Sequence, residues 1–212
     1  MQNEIESELD KIEHYQKFPL MKPFIGENYF NNTKKLLIVG ESHFFDHQPP
    51  SENPKINPGA TVWYSSSEND LDDAKKACIN TRNTILTSKH KVFTEIENVL
   101  NQSFEKYNNR AFNNVSFMNG FQRPSNIRGQ SIKEIASEKD FEVSLSTISK
   151  VIEILKPNFV IFVSKYTWDT VGTKLSKNEN IIYDYTCHPA AYGDWNDKNN
   201  PNSKYKITTL LV

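Results

Sequence analysis

The sequence predicts an α/β protein with three layers, in which a central, mostly parallel sheet of about four strands lies between helices. Residues 36–39 and 158–164 are short apolar runs, which is typical of strands that are buried on both faces. Segments with helical spacing of their apolar residues alternate with such runs through the middle of the chain. That alternation is typical of a parallel sheet covered by helices on both sides.

The composition indicates one folded domain over residues 1–212. The formal net charge is −1, so binding to a nucleic acid would need a local basic surface rather than an overall positive charge. Aromatic residues make up 12% of the chain, which is too many for a disordered protein. The two cysteines form no C-x-x-C pair, and no apolar stretch is long enough to span a membrane. We therefore expect a cytoplasmic monomer that does not associate with membranes.

The first third of the chain is predicted to contain a helix, a strand and a long loop. Residues 3–17 place apolar side chains on one helical face, and Pro19 ends this helix. The strand at residues 36–39 stops at Gly40. The proline-rich segment 46–70 contains Trp63 and Tyr64, so we interpret it as an ordered loop that covers a site.

Helices and strands alternate in the rest of the chain. The predicted elements, in order, are helices at residues 70–86 and 91–101 with a break near Ser88, a strand at 113–119, a helix at 141–155, a strand at 158–164, a helical region at 168–175 and a strand at 181–186. The apolar tail at residues 206–212 is predicted to be a final edge strand.

Three of the predicted strands end at, or are directly followed by, residues that could form a site. They are Gly40, Glu41, Ser42 and His43 after the first strand, Asn119 at the end of the second, and His188 and Pro189 after the fourth. Ligands bind outside the carboxyl ends of the strands of an open parallel sheet, so we expect these residues along one rim. A carboxylate can hold a water, an amide can read the edge of a nucleobase, and an imidazole can stabilise an anion. This set suits recognition of a nucleobase and cleavage of its bond to the sugar.

The motifs resemble those of the uracil-DNA glycosylase superfamily. LLIVGESHF, the strand ending VSFMN, the strand NFVIFVS and the late HPAAYG match the superfamily in order and spacing, between about residues 35 and 193. The resemblance implies a uracil-DNA glycosylase-like fold. It also implies a hydrolase that removes a damaged or deaminated base from DNA in base-excision repair and uses no metal or other cofactor.

The resemblance assigns chemical roles to three residues. Glu41 would position the attacking water, Asn119 would pair with the base edge, and His188 would hydrogen-bond the base as charge develops on it. One branch of the superfamily activates water with an aspartate at the position of Ser42. A serine hydroxyl without a base cannot replace that carboxylate. The alternative function is therefore a non-catalytic nucleic-acid or nucleotide-binding protein that has kept the pocket.

Further residues are expected around the base and along the DNA. Those around the base are Gly40, which opens the first motif, His43 in place of the superfamily's usual proline, and Phe44 or Phe45 beside the base. Pro189 and Tyr192 would contact the DNA, and Tyr192 would enter it as the base leaves the stack. Arg123, with Arg128 and Lys133, would contact phosphates.

Two other kinds of site are not expected. His43, Asp46 and His47 could form a metal cluster, but they lie in a proline-rich loop and lack an evident further ligand. Cys187 stands beside His188, but adjacent residues of a strand point to opposite faces and cannot act together. We predict neither a zinc site nor a cysteine nucleophile.

Overall fold

The computed structural model describes residues 2–45, 59–87, 89–104, 110–125 and 131–211. These residues form an α/β fold with ten α-helices and five strands. The helices are α1 (Gln2–Leu9), α2 (Glu13–Lys17), α3 (Ala60–Ser65), α4 (Asp73–Ile79), α5 (Thr81–Thr87), α6 (Lys91–Ser103), α7 (Glu138–Leu155), α8 (Lys165–Thr170), α9 (Tyr192–Asn196) and α10 (Tyr205–Leu211). The strands are β1 (Phe24–Ile25), β2 (Leu36–Gly40), β3 (Ser116–Asn119), β4 (Phe159–Phe162) and β5 (Ile182–Tyr185).

The strands form one mixed sheet in the order β1-β3-β2-β4-β5. The central strand β2 pairs in parallel with β3 and β4, and β4 pairs in parallel with β5. The predicted parallel arrangement of four strands is thus confirmed. The sequence did not indicate β1, which runs antiparallel to β3 and has only two residues. A strand of that length leaves no periodic pattern.

Alternate side chains of β2 enter two separate hydrophobic cores. Leu37 and Val39 lie in the core that includes residues of α1, α2 and α7. Leu36 and Ile38 lie in the core that includes residues of α6 and α10. A strand with two apolar faces has to be covered on both sides, so helices form a layer on each face of the sheet.

The tail is a helix, and its prediction as an edge strand is wrong. Residues 205–211 form α10, which packs against α6. The tail is rich in β-branched residues, which favour strands locally. However, Ile207 is fully buried, and Leu210 and Leu211 pack against the same core. Their spacing of three and four residues places them on one helical face, and this packing overrides the local preference.

Several predicted helices have different boundaries in the structure. Residues 3–17 form two helices, α1 and α2, and residues 70–86 form α4 and α5, which are separated by Asn80. The predicted break near Ser88 falls between α5 and α6, although Ser88 itself lies outside the described residues. The helical region predicted at 168–175 begins earlier, because α8 starts at Lys165.

The segment predicted as a loop over a site is anchored in the core in its second half. Residues 46–58 lie outside the described residues, and α3 follows them. Trp63 of α3 is fully buried and stacks on Phe18 with ring centroids 4.3 Å apart. Its indole Nε1 donates to the carbonyl of Gln122 at 2.8 Å. These contacts fix α3 to the body of the protein.

A buried ion pair joins the loop after β3 to the start of α7. Nε and Nη2 of Arg123 donate to the two carboxylate oxygens of Asp140, each at 2.8 Å, and the Tyr64 hydroxyl donates to Asp140 Oδ1 at 3.0 Å. Asp140 also accepts from the backbone and hydroxyl of Ser137 in a capping box. Burial alone would raise the pKa of Asp140, but Arg123 and Ser137 outweigh it and lower that pKa. Arg123 Nη2 also donates to the carbonyl of Ile135, which fixes the chain ahead of α7.

Candidate functional site

A cavity of about 660 Å³ lies at the carboxyl ends of the parallel strands. It brings together most of the residues that the sequence placed on one rim. The predicted residues that line it are Gly40, Glu41, Ser42, His43, Phe44, Asn119 and His188. They come from the loop after β2, the end of β3 and the segment after β5.

The floor of this cavity is formed by two chain segments that run side by side beyond β2 and β3. Gly120 N donates to the carbonyl of Gly40 at 3.2 Å, and Phe121 N donates to that of Glu41 at 2.8 Å. Further along, Ser125 N donates to the carbonyl of His43 at 2.7 Å. These bonds continue the parallel pairing past the ends of the strands, so they fix the backbone that carries the polar side chains.

Gly40 is required by the close approach of Asn119. A Cβ atom at position 40 would lie 2.6 Å from Asn119 Oδ1 and 2.9 Å from the ring of Phe117. Asn119 is 9% exposed, and the structure records no hydrogen bond to its side-chain amide from any described residue. Asn119 lines the cavity. Its donor and acceptor therefore remain for a ligand.

Glu41 is held by two donors from different parts of the chain. Its Oε1 accepts from the backbone N of Ile132 at 3.1 Å, and its Oε2 accepts from the Ser164 hydroxyl at 2.8 Å. Ser164 is the N-cap of α8 and accepts from Thr167 N at 3.2 Å. An ionised carboxylate can accept about four hydrogen bonds, so Glu41 keeps capacity for a water or a ligand group.

His188 presents its Nε2 edge as a hydrogen-bond donor. Its Nδ1 accepts from the backbone N of Ala190 at 3.2 Å, which places the proton of the neutral ring on Nε2. Burial lowers the pKa of His188, and the charge of Glu41 opposes this while His90 adds to it. The net shift is downward, so the ring is mostly neutral at pH 7.

His43 lines the cavity, but its ring is bound to the protein. The side chain is 4% exposed, and its Nε2 lies 3.1 Å from the hydroxyl oxygen of Thr81. Burial lowers the pKa of His43 to about 4, although a hydrogen bond with the backbone of Cys78 opposes the shift. His43 thus ties the floor of the cavity to α4 and α5. Phe44 is half-buried and lies 5.9 Å from His90, ring centroid to centroid.

The structure does not place three of the predicted site residues where they could act. Phe45 is 1% exposed and packs against Trp63 in the core, so of the two predicted aromatic residues only Phe44 lines the cavity. Arg123 is 2% exposed and bound to Asp140, so it cannot contact phosphate as predicted. Pro189 is buried as well.

Tyr192 differs from these three residues because it is 64% exposed, with Lys91 Nζ 4.9 Å from its ring centroid. Its predicted entry into DNA stays a prediction. Arg128 lies outside the described residues, and Lys133 is exposed.

The sequence did not reveal the helical wall opposite the strand ends. The additional lining residues include Cys78 of α4, Asn83, Thr84 and Thr87 of α5, and His90 and Phe93 at the start of α6. Their positions follow from how α4, α5 and α6 pack, which helical spacing does not specify. Ser164 could have been found, because it directly follows the apolar run of β4 as Glu41 follows that of β2.

Neither a metal-binding cluster nor a membrane-spanning helix occurs in the part of the chain that the structure describes. There, no group of three or more His, Cys, Asp or Glu side chains could hold a metal ion. Asp46 and His47 lie outside that part. Among the same residues, no helix has both the length and the apolar character needed to cross a membrane.

Comparisons with known proteins do not assign the chain to a family. No family model matches the chain, and no curated protein matches it either. The likeness to the uracil-DNA glycosylase superfamily therefore depends on the motifs described above.

Two buried histidines should make the stability of the fold pH-dependent. Burial lowers the pKa of His14 to about 3 and that of His43 to about 4, whereas both would titrate near 6.5 in the unfolded chain. Below pH 6.5 the unfolded state takes up protons that the folded state does not, so the free energy of unfolding falls by about 1.4 kcal/mol per pH unit for each histidine. Urea unfolding at pH 7.5 and 5.5 should therefore differ by about 3 kcal/mol from these two groups.

The variant His14→Phe isolates one of these contributions. No described residue forms a hydrogen bond with the buried His14 Nε2, and the ring stacks on Phe18, so phenylalanine fits the site. The variant should reduce the pH dependence by about 1.4 kcal/mol between pH 7.5 and 5.5. An unchanged pH dependence would show that the pKa of His14 in the folded protein is not lowered from its value in the unfolded chain.

Proposed function

We propose that the cavity binds a nucleobase and that the protein is a DNA glycosylase-like hydrolase for a damaged or deaminated base. The observation that carries the proposal is the Asn119 amide, which is buried, has no recorded protein partner among the described residues and shares the cavity with Glu41 and His188. An amide can donate to a ring carbonyl and accept from the adjacent ring N–H. A flat polar edge of this kind is what a nucleobase offers.

The same cavity contains groups for hydrolysis of an N-glycosidic bond. Glu41 would accept a proton from a water that attacks C1′ of the sugar. The bond between C1′ and the base breaks, and its electron pair leaves with the base. The negative charge then spreads onto a carbonyl oxygen of the base, where the Nε2–H of His188 can donate to it. The base anion then takes up a proton from solvent and Glu41 releases the proton it accepted, so the products are an abasic sugar and the free base.

A second candidate is a protein that binds a nucleobase or nucleotide without cleaving it. Both carboxylate oxygens of Glu41 already accept hydrogen bonds from the protein, from Ile132 N and the Ser164 hydroxyl. This arrangement also suits a purely structural carboxylate. Ser42, which lines the cavity, cannot activate water without a base.

A cleavage assay separates the two candidates. Oligonucleotides that each carry one uracil, hypoxanthine, xanthine or hydroxymethyluracil are incubated with the protein in single- and double-stranded form, and alkali then reveals abasic sites. Release from at least one modified base supports the enzyme. Tighter binding to a modified base without release supports the binding protein. If neither is observed, the cavity does not bind nucleobases.

The substitution Ser42→Asp tests the weakest point of the catalytic proposal. It places a carboxylate at the position where one branch of the uracil-DNA glycosylase superfamily, which the motifs resemble, has an aspartate. We expect release of uracil to appear or to rise, by about 10²-fold if the new group acts as a general base. The matched control is Ser42→Asn, which has the same shape without the charge. An equal response to both substitutions would exclude a role for the new carboxylate.

A further inference from the structure

The outermost strand β5 has one edge that no other strand of the described chain covers. The sheet order places β5 last, and its residues pair in parallel with β4 alone. Ile182 is 50% exposed, so one end of this edge is open to solvent. An uncovered edge offers its backbone groups to any other strand, including the same strand of a second copy of the chain.

The backbone groups of alternate residues face this open edge. Ile182 N and Thr186 N donate to carbonyls in and next to β4, at 2.9 and 2.8 Å. Backbone groups alternate in direction along a strand, so those of Tyr183 and Tyr185 point away from β4. Any strand that added to this edge would have to pair with these two residues.

Both outward-facing groups of Tyr185 are already bound by side chains. Tyr185 N donates to Asp184 Oδ1 at 2.8 Å, and the carbonyl of Tyr185 accepts from Lys206 Nζ at 2.9 Å. Lys206 belongs to α10, and its Nζ also contacts Asp184 Oδ2 and Asn202 Oδ1, each at 2.8 Å. The ammonium group is thus held over the edge of β5. We call Asp184 and Lys206 the edge clamp.

The chain covers the next outward-facing positions on both sides of β5. Ile181 N donates to the carbonyl of Asn178 at 3.0 Å, and Cys187 N donates to that of Asn202 at 2.6 Å. For the outward-facing N and O of Tyr183, the described residues record no such bond. A single residue is shorter than the strands that normally pair in sheets.

We propose that the edge clamp keeps β5 from pairing with β5 of a second copy of this chain. In a two-fold antiparallel pair centred on Asp184, Tyr183 of each copy lies opposite Tyr185 of the other, and each of these two pairs exchanges two hydrogen bonds. Every one of these bonds uses the N or O of a Tyr185, so the edge clamp blocks all of them. The proposal does not depend on what the cavity binds.

The neighbouring two-fold register is blocked as well. When the pair is centred on Tyr183, the flanking positions place Ile181 opposite Tyr185 of the other copy. Ile181 N and both groups of Tyr185 are already bound within their own chain. Only the two copies of Tyr183 could then bond to each other.

The test is the mass of the variant Asp184→Ala/Lys206→Ala, measured by sedimentation velocity over a range of protein concentrations. Wild type should stay monomeric, and the variant should shift to twice the monomer mass as its concentration rises. In the dimer, the Tyr183 amide should exchange about ten-fold more slowly than in the monomer, because it becomes hydrogen-bonded. The matched control is Lys139→Ala/Glu142→Ala, which removes an exposed ion pair from α7 and should stay monomeric.

A third substitution tests whether the dimer forms through the backbone of β5. Tyr183→Pro removes an N–H that faces the open edge and takes no part in the pairing with β4, and proline is tolerated at such edge positions. Added to the double variant, it should return the protein to the monomer.

Three results would overturn the proposal. The first is a double variant that is folded by circular dichroism and monomeric at every concentration. The second is a dimer that persists with Tyr183→Pro, and the third is a wild-type dimer in which the Tyr183 amide is protected. If the double variant does not fold, Lys206→Met keeps the aliphatic part of the side chain and removes only the ammonium group, and the same results decide.

Discussion

Glu41→Gln should lower the rate of base release by about 10²–10⁴-fold, the usual contribution of a general base. Glutamine is of nearly the same size and can still occupy the position between Ile132 N and the Ser164 hydroxyl. Its neutral amide cannot take a proton from water. The measurement is single-turnover release from the modified oligonucleotide that wild type cleaves best, together with the affinity for that oligonucleotide, which should change little.

The control for this variant is Glu134→Gln. Glu134 is exposed and belongs to the 3₁₀ helix Ile132–Glu134, whose first residue donates to Glu41. The variant Glu134→Gln should release the base as fast as wild type. If Glu41→Gln also retains full release, Glu41 is a structural brace and the water is activated by another group.

The complementary variant His188→Ala removes the group that we propose as the donor to the departing base. Loss of one such donor typically costs about 2.7–4 kcal/mol at the barrier, or 10²–10³ in rate. Because Nδ1 is bound to the backbone of Ala190, His188→Gln could restore a donor but not the same orientation, so it should recover only part of the activity. Full activity in His188→Ala would remove the imidazole from the proposed mechanism.

Asp140→Ala should lower the free energy of unfolding by about 3–5 kcal/mol. It removes the partner of Arg123, which is 2% exposed and would remain as an uncompensated buried charge. It also leaves the Tyr64 hydroxyl and the start of α7 without their acceptor. Urea unfolding at pH 7.5, followed by circular dichroism, measures this effect.

Asp169→Ala is the matched control for the ion pair. Asp169 pairs with Lys165 on the surface of α8, where both side chains are about half exposed or more. Such pairs contribute about 0–1 kcal/mol. A similar small loss in Asp140→Ala would mean that water reaches the Arg123 side chain after the substitution.

The ends of the strands could be predicted from the sequence. The side chains and helices that pack around those ends could not. The apolar run of β2 stops abruptly at polar residues, so it located Gly40 and Glu41, and the same pattern located Asn119. Arg123 was misjudged because its partner Asp140 lies 17 residues further along the chain, and no local pattern links them. A charged residue in a turn is normally solvated, so its burial becomes visible only with the fold.

The helices around the site illustrate the same limit. Helical spacing indicated that residues 70–86 are helical, but it did not indicate the break at Asn80 that turns α5 toward the cavity. The likeness to a known superfamily pointed to the strand ends for the same reason, since its motifs lie there. The helical wall carries no such motif.

The pairing of the two segments beneath the cavity divides the site into parts of unequal stability. The amides of Gly120, Phe121 and Ser125 are hydrogen-bonded across these segments and lie beside a fully buried strand. The opposite wall contains α4 and α5, which have seven residues each and several exposed side chains. Short helices with few buried contacts open at a lower free energy than a central sheet. A ligand should therefore enter and leave the cavity by local opening of α4 and α5, and amide hydrogen exchange in these helices should report the rate of that opening. The paired segments at the strand ends should hold the polar side chains in place while the helices open.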